Sequence, residues 1–145
     1  MMSALIELLT NRIFLSGIIA WICSQLIKAI IISIKRRKID IAAIWELAGM
    51  PSTNTAILSA VGAQIYLTEG VTTAFLVVLA VFVWVLQEVL LARSAVDNYA
   101  EAVNSILKHL GKKYVPLKRR WGHTPLEVVA GLVFGIIIAF LVNLI

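Results

Sequence analysis

The sequence predicts an all-α integral membrane protein, a helical bundle of about four transmembrane helices with one amphipathic helix beside it. Three observations carry this expectation. Hydrophobic residues fill 61% of the 145 positions and charged residues only 14%, whereas soluble domains run near half apolar and a quarter charged. The mean hydropathy is +0.95. Apolar stretches of spanning length recur along the chain, separated by short polar or basic segments. One domain, residues 1–145, is the natural count at this length. The opening MMSALIELLTNR has neither a basic leader nor a small-residue cleavage site, so no cleavable signal is expected.

SALIELL, at the N-terminus, is expected to form a short interfacial helix. The first span covers about residues 13–34, the third 72–92 and the fourth 125–144. Each is near the ~20 residues a spanning helix needs. The second, about residues 51–67, sits at the lower limit and carries Ser, Thr, Asn and Gln. It is read as a span partly shielded by protein, or partly re-entrant. Residues 94–110, SAVDNYAEAVNSILKHL, place Ala95, Tyr99, Ala102, Val103, Ile106 and Leu110 at three- and four-residue spacing. That period predicts an amphipathic helix on the membrane or the bundle, with Gly111 as its stop and YVPLKRRW as a loop.

Charge orients the set. KRRK at 35–38 follows the first span, and Arg93, Lys108, Lys112, Lys113, Lys118, Arg119 and Arg120 lie between the third and fourth, while TEGV between the second and third has no basic residue. The positive-inside rule makes both basic segments cytoplasmic in a plasma or cell membrane, with both termini outside. The net charge of +5 then reflects orientation and attraction to anionic headgroups. No nucleic-acid motif is present, so no nucleic-acid partner is expected. The single cysteine, Cys23, excludes an intramolecular disulfide and a cysteine metal site.

On this topology four spans bring polar residues to one depth. Lys28 lies in the second half of the first span, sharing a stripe with Trp21, Ser24 and Gln25. Ser52, Thr53 and Asn54 open the second, Glu88 and Arg93 close the third, and His123 and Glu127 open the fourth. Ionisable groups inside spans are costly and mark functional sites by default. Lys28 snorkelling to the headgroups and Arg93 anchoring at the interface are the plainer alternatives, and Glu88 could pair with either. PST at 51–53 and Thr124-Pro125 both read as helix starts, whose free N–H groups and positive dipole ends suit an anion. Phosphate is the expected anion. No Walker-type glycine loop is present.

GHTPLE at 122–127 combines two signals. Thr124, Pro125 and Glu127 form a capping box, which explains all three residues but leaves His123 unexplained. A neutral imidazole beside a helix start can attack phosphorus while a carboxylate holds its other nitrogen. Glu127 is expected to serve both cap and imidazole only if the cap is relaxed. His109 is explained by the helix C-terminal dipole. Two histidines and scattered carboxylates make no metal cluster, and no metal or other cofactor is expected.

GMPSTNTA at 49–56, RSAVDNYAEAVN at 93–104 and GHTPLEVVAG at 122–131 together resemble the divergent branch of the type-2 phosphatidic acid phosphatase superfamily, which also includes vanadium haloperoxidases. The likeness covers roughly residues 20–140. It implies metal-independent phosphoryl transfer in a helical bundle, with His123 as nucleophile forming a phosphohistidine and Glu127, four residues on, orienting it. Lys28, Ser52 and Arg93 take phosphate-binding places by the same resemblance; Thr53 and Asn54 are candidate substrate-binding residues beside them, with Glu88 and Asp97 as possible support. The sequence departs from the pattern at four points. Asn54 stands where the leaving-group acid is a histidine, Glu127 replaces an aspartate, the first-motif arginine has only Arg36 or Arg37 as candidates, and Glu88 stands where the branch has an aspartate.

The expected function is therefore a lipid-phosphate or lipid-diphosphate phosphatase, biased to diphosphates because an amide cannot donate the proton an alcohol leaving group needs. The alternatives are a non-catalytic binder of phosphate lipids and a structural membrane protein. Gly131, Gly135 and Ala139 form a small-residue stripe suited either to a homodimer or to packing within the chain.

Overall fold

A computed structural model of the chain describes residues 2–38, 49–111, 116–117 and 123–145, without the side chains at positions 4 and 92–94. Its five helices are α1 (Met2–Thr10), α2 (Arg12–Arg36), α3 (Thr53–Glu69), α4 (Thr73–His109) and α5 (Pro125–Asn143). Among the described residues every regular element is helical, as expected.

Local chemistry sets the boundaries. Asn11 separates α1 from α2, its Oδ1 accepting from Ile13 N at 2.8 Å and Phe14 N at 3.2 Å. Two otherwise orphaned N–H groups are thereby satisfied. Arg37 ends α2 in the left-handed region at φ 50°. Gly70, at φ 75°, ends α3, and Thr72 caps α4 through Phe75 N. This link is so short that α3 and α4 must form an antiparallel hairpin.

α4 corrects one expectation. Residues 94–110 are not a separate helix but the continuation of the third span, in one helix of 37 residues. Residues 73–110 contain neither glycine nor proline, so nothing breaks the hydrogen-bond ladder where the apolar composition stops. At 1.5 Å per residue α4 is ~55 Å long, well beyond the ~30 Å hydrocarbon layer. Its end behaves as expected: Gly111 has φ 61°, and His109 Nδ1 lies 2.9 Å from the Ser105 carbonyl. Asn104 then holds the returning chain, donating to Leu117 O at 3.1 Å and accepting from Leu117 N at 2.9 Å.

Three helices, α2, α4 and α5, are long and apolar enough to cross a membrane. α3 is the central one, packed against all three. Its 17 residues give ~25 Å, and its polar and small side chains, among them Thr53, Thr55, Ser59, Gly62 and Gln64, are buried by its neighbours. That matches the expectation of a shielded second segment. α2 runs antiparallel to α3, from Ser16 Oγ donating to Ala60 O at 3.4 Å to Lys28 Nζ donating to Thr53 Oγ1 at 3.0 Å.

α3 and α5 run parallel, starting at the same end. Ser52 N donates to Glu127 O at 2.9 Å, and near the far end Gln64 Nε2 donates to Asn143 Oδ1 at 3.2 Å. Between these bonds the small-residue stripe lets the two backbones meet. A Cβ on Gly131 would stand 2.5 Å from the Ser52 carbonyl oxygen, and one on Gly135 would collide with Ser59 Oγ and the Ala56 carbonyl. Ala139 is fully buried. Of the two uses expected for the stripe, a homodimer or packing within the chain, the second is seen: α3 of the same chain occupies it, because only residues without side-chain bulk allow this approach.

Candidate functional site

The site forms where α3 and α5 begin. α2 supplies Lys28, the chain entering α3 supplies Gly49 and Ser52, and α3 itself supplies Thr53. The chain entering α5 supplies His123, and α5 supplies Glu127.

Lys28 is 2% exposed although it carries an ammonium, so it does not snorkel. It donates to Thr53 Oγ1 at 3.0 Å, and Thr53 Oγ1 donates in turn to Gln25 Oε1 at 3.5 Å. The lysine stem is covered by Gly49, whose φ of 136° suits glycine. A Cβ there would lie 3.0 Å from Lys28 Cγ. Of the expected stripe, Ser24 and Lys28 face the bundle and Gln25 is half-buried, whereas Trp21 is exposed.

His123 is 6% exposed, just before α5. Its Nδ1 lies 3.3 Å from Glu127 Oε2. The same Oε2 accepts from Thr124 N at 2.8 Å, while Thr124 Oγ1 accepts from Glu127 N at 3.2 Å. The complete capping box and the imidazole contact therefore coexist, and the expectation that one would displace the other is corrected. One carboxylate oxygen serves both because the histidine precedes the cap by a single residue. The contact is close but poorly aligned, so Nδ1 is buried without a hydrogen bond of good geometry. Burial lowers the His123 pKa below its ordinary 6.5; the nearby Glu127 carboxylate opposes this, the Lys28 charge adds to it, and a backbone hydrogen bond with Gly49 opposes it. The imidazole is accordingly neutral near pH 7.

The two helix starts differ. The start of α5 is closed by its own capping box. Ser52, the N-cap of α3, makes no side-chain cap; its Oγ accepts instead from Thr55 Oγ1 at 3.0 Å, and its N–H is taken by the Glu127 carbonyl. Anion capacity therefore lies at α3, whose first N–H groups have no side-chain cap. A carboxylate already occupies the corresponding place on α5.

The remaining candidates lie apart or outside the description. Asn54, one residue along from Thr53, is exposed. Glu88 is exposed on α4. Asp97 lies further along α4, half-buried. Arg93 lies on α4, but its side chain is outside the described residues, as are Lys112, Lys113, Lys118, Arg119 and Arg120. Arg36 and Arg37 close α2 and are exposed. Among the described residues no three His, Cys, Asp or Glu side chains gather as a metal site would require.

Two contributors escaped sequence reasoning. Thr55, 1% exposed, orients Ser52. Gly49 touches both Lys28 and His123; its signal was a glycine two residues before Pro51, in a segment that had to turn.

The chain is 29% identical over 148 aligned residues to the uncharacterized membrane protein YuiD of Bacillus subtilis (strain 168), an alignment covering 91% of this chain and 94% of that protein. No solved structure matches it. The sequence pattern of the divergent PAP2 family matches residues 9–138, a stretch that includes Lys28, Ser52, Thr53, His123 and Glu127. The chain belongs to the divergent PAP2 family.

Proposed function

We propose that the protein is a metal-independent phosphatase of lipid phosphates or diphosphates, with its polar end facing the cytoplasm. The observation that carries this reading is the buried, neutral His123, held 3.3 Å from Glu127 at the end of the bundle where Lys28 is also buried. The lysine charge, the Ser52 hydroxyl and the uncapped start of α3 bind the phosphate oxygens. Nδ1 faces Glu127, so Nε2 is the nitrogen that attacks phosphorus, giving up the backbone hydrogen bond with Gly49 as it does so. Its lone pair forms the N–P bond as the bond to the leaving oxygen breaks, and that oxygen keeps the electron pair. Water then attacks phosphorus and loses a proton to bulk water, the N–P bond breaks with its electron pair returning to nitrogen, and the neutral imidazole is restored as phosphate departs.

The leaving group decides the substrate. A phosphate leaving group, with a second pKa near 6, departs without a proton. An alcohol, with a pKa near the 15.7 of water, needs one, and the Asn54 amide carries no labile proton to give. Diphosphates are therefore favoured. The test is phosphate release from lipid mono- and diphosphates in purified protein, with His123→Ala as control. The reading requires diphosphate turnover that His123→Ala abolishes; equal rates for the two proteins refute it.

The outward Asn54 also supports a second reading, a binder of phosphate lipids that does not turn them over. That protein would bind orthovanadate at Lys28 and release no phosphate from any lipid.

A further inference from the structure

Below the polar end, α4 stands off from α5 and leaves a slot with α3 as its floor. The slot holds about 440 Å³ and is lined almost wholly by apolar groups, including Ala63 on α3, Leu79 and Phe82 on α4, and Ile136 and Phe140 on α5. That volume falls within the range of small-molecule sites. A bilayer leaves no empty space between helices, so hydrocarbon fills the slot; the open question is whose.

The slot continues downward from the site along α3 and α5, the two helices that site and slot share. Near its upper end, beside Leu58, is Ser59, which donates to the Thr55 carbonyl at 2.7 Å, and Thr55 in turn bonds Ser52. Ser59 lies seven residues below Ser52, about 10 Å along α3, and the lower end at Leu67 about 22 Å. On the opposite flank of α3, where a Cβ on Gly17 would stand 3.0 Å from Val61 Cγ2, a second apolar hollow beside Trp21, Ile57 and Val61 extends along α2 toward Leu8 and Phe14, without the Ser52–Thr55–Ser59 chain of hydrogen bonds that joins the slot to the site.

We infer that this slot receives the hydrocarbon chain of the same lipid whose phosphate sits at Lys28 and Ser52, so that the protein selects substrates by chain length. The inference rests on the proposed phosphate site, not on turnover. A chain shorter than about 10 Å does not reach the slot, and one of about 20 Å fills it. Leu79 and Ala63 are the residues that set the fit. Leu79 is 46% exposed, so a larger side chain there enters the slot without crowding the core.

The test is photolabelling in phosphatidylcholine nanodiscs, using a long-chain lipid phosphate with a diazirine at the chain terminus. Adducts should map to the slot walls on α3, α4 and α5. Excess unlabelled long-chain phosphate should suppress them, whereas the matching long-chain alcohol and a short-chain phosphate should not. Leu79→Trp, and Ala63→Leu from the floor, should cut labelling about tenfold while leaving orthovanadate binding unchanged. Adducts spread over the outer faces of α2 and α4, or slot adducts that the alcohol suppresses equally well, overturn the inference and make the slot an ordinary place for bilayer lipid. Failure of the catalytic reading looks different: no lipid releases phosphate, yet phosphate-dependent slot labelling persists.

Discussion

Glu127→Gln separates the two tasks that one carboxylate oxygen performs. Gln at this position completes a capping box as well as Glu does, so the bond to Thr124 N, 2.8 Å in the wild type, is retained. The charge facing His123 Nδ1 at 3.3 Å is lost. Glu127 is what holds the His123 pKa up against burial and Lys28, so its neutralisation lowers that pKa further. The sign follows: a nucleophile must be neutral, its acid limb follows the imidazole pKa, and the limb moves to lower pH in the variant. Activity falls at the same time, because the imidazolium-like intermediate loses a charge-assisted partner worth ~1.5–3 kcal/mol, roughly 10- to 100-fold in rate. Thermal stability should change little, whereas Glu127→Ala also removes the cap at ~1 kcal/mol. The assays are the pH profile of phosphate release and an NMR titration of the His123 ring in detergent. An unmoved titration midpoint with undiminished activity would refute a role for Glu127 beyond its cap.

Four further outcomes follow from the packing. Gly135→Val forces methyl groups into Ser59 Oγ and the Ala56 carbonyl and should destabilise the protein by ~1–3 kcal/mol or more, read by thermal melting, with the oligomeric state in detergent unchanged. Thr53→Val strips Lys28 of the oxygen 3.0 Å away; leaving a buried ammonium short of an acceptor costs ~1–3 kcal/mol, and calorimetry should show the loss of stability together with altered orthovanadate affinity. Gly49→Ala combines a φ of 136° with a Cβ 3.0 Å from Lys28 Cγ and should cost ~1–3 kcal/mol of strain, with lower melting temperature and weaker orthovanadate binding. Because the folded-state pKa of His123 lies below 6.5, the unfolded chain binds more protons in that range; stability should be full above pH 6.5 and fall as pH drops, a slope that His123→Asn should flatten in chemical denaturation.

The end of the bundle that carries the site was legible because its residues announce themselves by chemistry. A lysine in an apolar span, two helix starts and a histidine ahead of a capping box each have few alternative explanations, and Lys28, Ser52, Thr53, His123 and Glu127 do converge. What escaped depended on rotation and closeness rather than residue type. Asn54 follows Thr53 directly, yet one step around the helix turns it outward, and the rotation of α3 is fixed by Gly131 and Gly135 on a helix more than 70 residues later in sequence. Trp21 shared a nominal stripe with Lys28 but lies at its edge. α4 was divided at the point where its composition changes, although a helix ends where its backbone bonds fail, and nothing in residues 73–110 makes them fail.

The parallel pairing of α3 with α5 has a consequence for biosynthesis. Lys28 and Thr53 leave the ribosome well before Glu127, whose carbonyl takes the Ser52 N–H. Until α5 inserts, Ser59 and Gln64 on α3 lack the Gly131 carbonyl and the Asn143 side chain that meet them in the folded chain. Products truncated before α5 therefore leave a polar helix face bare in the bilayer.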